Sequence, residues 1–268
     1  MQTARGRLFS SVGLLYFNAA EVDMRSAFLA AAVLFVPIAT RADGLLDQLP
    51  ADGSWAEFDV AGKAYGANGD SRVTVIGTLR LSSVGHESVN GEACRWIELK
   101  STTRFERGDR RNEAAETIKL LIPEQHLKRG QEPLAHVYKA WRQHPTVDQG
   151  QIKQLDLQGE GLREVQSLDE FFHGPAWEVT QLEPEEVESK LGKNRCSGLR
   201  CLDVQTGGGI ETRLSATIRL DKRAPFGLVT YQYEKERLRD GKSLGKRTMG
   251  LKLVDFGQDA VSALGDSR

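Results

Sequence analysis

Arg72-Val73-Thr74-Val75-Ile76-Gly77-Thr78-Leu79-Arg80-Leu81, then Val89-Asn90-Gly91-Glu92, then Cys94-Arg95-Trp96-Ile97-Glu98-Leu99-Lys100-Ser101-Thr102 form the passage that decides the fold. The two longer runs are rich in β-branched and aromatic residues and alternate in polarity, which predicts strands with one wet and one dry face. Asn-Gly between them is the strongest short hairpin signal, because both central residues of such a turn must tolerate positive φ.

The same pattern extends outward in both directions. Upstream, Trp55-Ala56-Glu57-Phe58-Asp59-Val60 sets Glu57 and Asp59 against Phe58 and Val60, and Asn68-Gly69-Asp70 separates it from the next run. Downstream, Thr117 to Ile122 is a fourth strand stopped by Pro123, and strands return at Cys201–Thr206, Thr212–Leu220, Gly227–Tyr233 and Met249–Phe256, with Asp240-Gly241 turning between the last two. Helical signals occupy the middle. Pro133 suits a first helical turn, Leu134, Val137, Tyr138 and Trp141 recur at helical spacing, and Pro145 ends the run. Ser167-Leu168-Asp169-Glu170 has capping-box spacing before Phe171 and Phe172, and Glu183-Pro184-Glu185-Glu186-Val187 opens a further helix that Gly192 can end. Strands, then a few short helices inserted in the middle of the chain, then strands with hairpin connections predict an α+β fold with a mainly antiparallel sheet.

Ahead of this domain, Met24-Arg25-Ser26 and the apolar run Ala27 to Val36 have the make-up of a secretory signal, with Thr40-Arg41-Ala42 as the small-residue cleavage site. Met24 is read as the start, so residues 1–42 are an N-terminal extension and signal peptide, 43–258 one exported β-rich domain, and 259–268 a frayed polar tail. Arg41 and Asp43 close the apolar run short of the roughly 20 residues that a span needs, so no stable membrane span is expected after cleavage near Ala42. The expected location is periplasmic or secreted. Cleavage removes four basic residues (Arg5, Arg7, Arg25, Arg41) and two acidic ones (Glu21, Asp23) from totals of 36 and 37, which leaves a formal charge of −3. Such a chain has no general attraction for phosphate backbones, and nucleic acid is not an expected partner.

Candidate chemistry is sparse. Cys196 and Cys201, with Gly198 between them, are expected to pair in an oxidising compartment, closing a loop so short that the bond contributes about 2 kcal/mol. Four intervening residues are too many for a thiol redox motif, and Cys94 beside Trp96 reads as a buried inert thiol. Of His86, His126, His136, His144 and His173, only His136 and His144 share the proposed helix, and about 12 Å separates them there. With no His-Glu-x-x-His or Cys/His cluster, neither metal nor cofactor is expected. Gly241-Lys242-Ser243 fails as a phosphate loop because Glu236 stands where the first glycine belongs, and Gly207-Gly208-Gly209 reads as a turn. No Gly-x-Ser-x-Gly occurs, and Glu183, Glu185, Glu186 and Glu188 read as a solvated helix face.

Asp52-Gly53-Ser54-Trp55, Asn90-Gly91-Glu92-Ala93-Cys94-Arg95-Trp96-Ile97-Glu98 and Lys119-Leu120-Leu121-Ile122-Pro123-Glu124 resemble uncharacterised exported proteins of planctomycete-type bacteria. Ala224-Pro225-Phe226-Gly227-Leu228-Val229 is similar to a turn-into-strand passage in relatives of the periplasmic lipoprotein carriers. The carrier likeness implies a curved antiparallel sheet, a half-barrel whose concave face holds acyl chains. The expected function is therefore non-enzymatic binding of an apolar ligand, a lipid or a lipidated protein. The alternatives are a hydrolase acting on envelope or extracellular polymer, and a structural or interaction domain. No catalytic residue is assigned, and the ligand-binding residues stay open.

Overall fold

The computed structural model describes residues 46–265, apart from 129–130, 147, 167 and 169–177. The strands are β1 (Trp55–Gly66), β2 (Ser71–Val89), β3 (Glu92–Arg107), β4 (Arg110–Pro123), β5 (Lys139–Gln143), β6 (Ile152–Gln154), β7 (Glu178–Ser189), β8 (Gly192–Gly207), β9 (Ile210–Leu220), β10 (Leu228–Arg239) and β11 (Lys242–Gly257). They form one antiparallel sheet in the order β6-β5-β4-β3-β2-β1-β11-β10-β9-β8-β7. The first and last long strands pair at its middle, and hairpins run out from them to each edge. Asn90 (φ 53°) with Gly91 (φ 83°), and Asp240 (φ 50°) with Gly241 (φ 73°), adopt the left-handed backbone that their sequences predicted for the β2–β3 and β10–β11 turns.

The expected α+β class is overturned. Helix among the described residues is confined to α1 (Glu160–Gln166) and two single-turn 3₁₀ segments, Glu124–His126 and Pro133–His136. The run predicted as the best helix enters at Pro133 but leaves after His136, and Lys139–Gln143 pairs with β4 as a strand. The spacing of Leu134, Val137, Tyr138 and Trp141 is helical, but the open hydrogen-bonding edge of β4 overrides it, beginning with the Tyr138 amide on the Leu121 carbonyl. The helix expected from Glu183 is the edge strand β7, where Pro184 sits at the irregularity between Leu182 and Glu185 and so removes no hydrogen bond from a regular ladder. Glu183, Glu185, Glu186 and Glu188 therefore line an exposed strand, and Gly192 (φ 83°) opens the strand that follows. The helix expected from Ser167, including Phe171, Phe172 and His173, lies outside the described residues, as do the signal segment and its cleavage site.

The sheet is strongly curled. Lys190, in the β7–β8 turn, forms a 3.0 Å ion pair with Asp255 of β11, although β8, β9 and β10 lie between them in the sheet. Inward-facing residues of both halves join one core that includes Phe58, Leu81, Ile97, Leu120, Ile218, Tyr231 and Leu253. One end of that core is closed by Leu46, Leu127, Leu134, Leu155, Val165 and the β9–β10 connection, where Ala224 and Phe226 are fully buried. The Gln48 side chain fastens this closure by donating to the carbonyls of Lys222 (3.0 Å) and Ala224 (2.7 Å). On the opposite, outer face, residues 259–265 do not fray as expected. Ser262 Oγ and the Ala263 amide donate to the buried carboxylate of Glu98, and Lys119 Nζ donates to the Gly265 carbonyl while lying 5.0 Å from the Trp96 ring centroid.

Candidate ligand cavity

Strand alternation places one row of each strand on the inside of the curl, and on β3, β4 and β11 the chemistry changes along that row. On β3 the inward residues run Ile97, Leu99, Ser101, Thr103 and Phe105, from fully buried to 39% exposed. On β4, in register with them, they run Leu120, Ile118 and Glu116. On β11 the row passes from Leu253 and Leu251 through Met249 to exposed Arg247. Toward the second end, small and polar residues replace large apolar ones, so the curl cannot fill itself. A cavity of about 210 Å³ results, walled by Val60, Val75, Leu79, Leu99, Phe105, Ile118, Leu168 and Met249, with Ser101, Thr103, Glu116 and Arg247 as its polar groups.

Gly77 helps to shape this wall. It lies between Val75 and Leu79 on β2, opposite Thr103, and a Cβ there would run into the Thr102 carbonyl and lie 2.8 Å from Thr103 Cα. The absence of a side chain lets β2 and β3 approach closely where the sheet bends around the cavity.

Charge is concentrated beside the Ile118 side of the cavity. Arg142 on β5 stands opposite Ile118, and its guanidinium donates from Nε and Nη2 to Asp148, both at 2.8 Å, and from Nη1 to Glu164 of α1. Those hydrogen bonds hold Asp148 below the ordinary carboxylate range and Arg142 firmly protonated. Glu116, half-buried on the cavity wall, is pushed above its ordinary pKa by burial. Arg142 and His144 act against that shift, while Glu164 and Asp148 reinforce it.

The residues singled out by sequence occupy other places. Cys196 and Cys201 are both buried on β8, and the expected disulfide between them is not formed. Five residues along a strand span about 17 Å and reverse the side-chain direction, whereas a disulfide requires Cα atoms closer than about 7 Å. Cys94 is a buried free thiol, as expected. Trp96 and Trp141 face away from the cavity, since Ile97 on β3 and Ala140 and Arg142 on β5 take the inward row. His126 and His136 stack with ring centroids 3.5 Å apart, and His86 Nδ1 lies 3.7 Å from Asp52. His136 and His144 share no helix, and among the described residues no group of three or more His, Cys, Asp or Glu is placed to hold a metal.

Sequence reasoning missed Glu116, Arg247 and the polar run Ser101-x-Thr103. A signal was present. The alternation recognised in Cys94–Thr102 continues to Phe105, and its dry row turns polar after Leu99.

No protein-family model matches the chain, and no curated protein matches it. Among solved structures it is similar to a β-barrel-like protein of the domain of unknown function DUF1849 from Brucella abortus, with 10% identity, coverage of 79% of this chain and 98% of that chain, and a TM-score of 0.29. It is also similar to a candidate lipoprotein from Parabacteroides distasonis, with 9% identity, 81% and 100% coverage, and a TM-score of 0.27. A third match is a candidate exported protein with a YmcC-like fold from Bacteroides fragilis, with 7% identity, 81% and 99% coverage, and a TM-score of 0.26. At these values the likenesses assign no ligand and no activity. Among the described residues, no helix is long and apolar enough to cross a membrane.

Proposed function

We propose that the protein is an exported, non-enzymatic binder that holds an apolar ligand, or the acyl chain of a lipidated partner, in the cavity between β1–β4 and β11. One observation carries this reading. The inner face of the sheet is packed at one end, and at the other it leaves a predominantly apolar space of about 210 Å³. Apolar cavities with a few placed polar groups are the usual form of small-ligand sites. The hydrolase alternative calls for a polar cleft with converging acids, and Glu116 is the one carboxylate among the described residues of the cavity wall. Export rests on the Met24–Ala42 pattern, so the mature chain is expected to begin near Asp43.

Native mass spectrometry of protein purified from the producing cell tests the binding reading. An acyl-bearing adduct is expected on the unaltered protein, and Ser101→Phe, which projects a ring into the cavity, is expected to lose it. A protein that carries no adduct and takes up no added alkyl compound would sink the proposal.

A further inference from the structure

The β3–β4 wall of the cavity carries a polar patch set into an apolar surround. Ser101 and Glu116 are directly paired across the two strands, and Thr103 is the next inward residue of β3. Direct antiparallel pairing brings Cβ atoms within about 4.5–5.5 Å on one face, so the three polar side chains share one small area. One step toward the packed end the pair is Leu99 with Ile118, the residue opposite Ser101 on β2 is Leu79, and the inward residue beyond Thr103 is Phe105. All three polar side chains are half-buried. Among the described residues, none of them has a side-chain hydrogen bond within the protein. The Arg142 guanidinium beside Glu116 donates to Asp148 and Glu164, and His144 Nδ1 accepts from the Thr146 amide at 3.2 Å.

Polar groups taken out of water are matched by hydrogen-bond partners, so this patch specifies what an occupant has to supply. An ionised Glu116 only accepts, whereas the Ser101 and Thr103 hydroxyls each donate and accept. A carboxylate head offers Glu116 no donor, and an ammonium head offers the two hydroxyls no acceptor. A hydroxyl does both. The volume also limits size, because about 210 Å³ falls below the roughly 300–1,000 Å³ of sites for drug-sized ligands. Resting on the binding function proposed above, we infer that the ligand is a short single-chain amphiphile with a neutral, hydroxyl-bearing head. Its O–H donates to Glu116, its oxygen accepts from Ser101 or Thr103, and its alkyl chain lies against Leu99 and Ile118. The apolar surround selects the chain, and the polar patch selects the head.

Isothermal titration of the full mature chain with four probes built on an eight-carbon chain tests this inference: octane-1,2-diol, its dimethyl ether, octanoate and octylammonium. The ether keeps the chain and both oxygens but has no O–H to donate. The diol is expected to bind about ten-fold or more tightly than the ether, the effect of a hydrogen bond to a charged acceptor, and more tightly than either ion. Glu116→Leu is expected to bring the diol-to-ether affinity ratio close to one while the ether still binds. The doubly substituted Ser101→Ala/Thr103→Val protein provides an independent variant, expected to lower that ratio about three-fold or more. Thr102→Val, which removes a hydroxyl from the outer face of β3, is expected to leave the ratio unchanged. Circular dichroism confirms that each variant is folded. A smaller ratio in the unaltered protein, tighter binding of either ion, or a ratio that survives Glu116→Leu overturns the head-group inference while leaving the cavity function standing. Failure of all four probes to bind overturns both.

Discussion

The two ends of the inner face are built from the same strands and behave differently. At the closed end Phe58, Leu81, Ile97 and Leu120 interlock with Phe226 and Leu228, all with essentially no exposure. At the open end the same strands carry Gly62, Gly77, Ser101, Thr103 and Glu116. The hydrogen-bonded ladder is continuous through both ends, so backbone pairing does not distinguish them. Side-chain volume does. Curvature supplied by continuous pairing, together with a loss of volume at one end, leaves a space that the protein does not fill from its own residues.

The largest effect that can break this comparison belongs to the closed end. Phe58→Ala is expected to cost about 4 kcal/mol in urea unfolding, since a fully buried aromatic leaves a cavity that close-packed neighbours cannot fill. Phe105→Ala removes the same ring from the open end, where it is 39% exposed, and is expected to cost less than about 1.5 kcal/mol. Equal losses at the two positions would show that the open end is packed in solution.

The second expected effect falls at the border between the ends, where the Arg142–Asp148 pair ties β5 to the following loop. Both side chains are less than a tenth exposed. Asp148→Ala would leave the Arg142 charge buried without its bidentate acceptor, and a loss of about 3 kcal/mol is expected near neutral pH. The sign with pH follows from the direction of the shift. Asp148 is held below its usual 3.8, so its contribution is present above that value and is lost as pH falls through the lower folded value. The gap between the two proteins is therefore expected to close in strong acid, as measured by urea unfolding across a pH series.

Much of the closed end was legible in the sequence because it consists of regular alternation. Trp55–Val60, Arg72–Leu81 and Cys94–Thr102 all lie within strands, and the turns at Asn90-Gly91 and Asp240-Gly241 fall where their φ requirements put them. The middle of the chain was misread for a physical reason. Leu134, Val137, Tyr138 and Trp141 satisfy a helical period, and only the presence of an unpaired β4 edge, a long-range fact, converts Lys139–Gln143 to a strand. The Cys196–Cys201 pairing failed similarly, since proximity in sequence implies proximity in space for a turn and the opposite for an extended strand. The cavity was not visible because it depends on which rows face each other across the curl. Glu116 and Arg247 lie 131 positions apart in the chain and meet only as two walls of one space.

A smaller effect is expected at the bend. Gly77→Ala places a methyl group against the Thr102 carbonyl, a backbone atom that cannot rotate away. A cost of about 2 kcal/mol is expected from forcing β2 and β3 apart. The same change at Gly91, where no atom lies within 4 Å of an added Cβ, tests only the turn's positive φ. The two variants separate curvature from turn conformation, because only Gly77→Ala is expected to weaken binding of an alkyl probe as well as stability.

The smallest expected effect concerns the polar side of the cavity itself. Burial raises the Glu116 pKa above its usual 4.5, which means that the folded state takes up its proton more readily than the unfolded chain does. The stabilisation from that protonated form is fully present below about 4.5 and is lost as pH rises through the higher folded value. Glu116→Gln keeps the shape and removes the titration. It is expected to match the unaltered protein in stability at low pH and to exceed it once the pH passes the folded value, as read from thermal unfolding at a series of pH values. A closed, packed site would give a wide separation and an aqueous surface none. A small but resolvable separation is the outcome expected for a carboxyl group on the wall of a half-open apolar cavity.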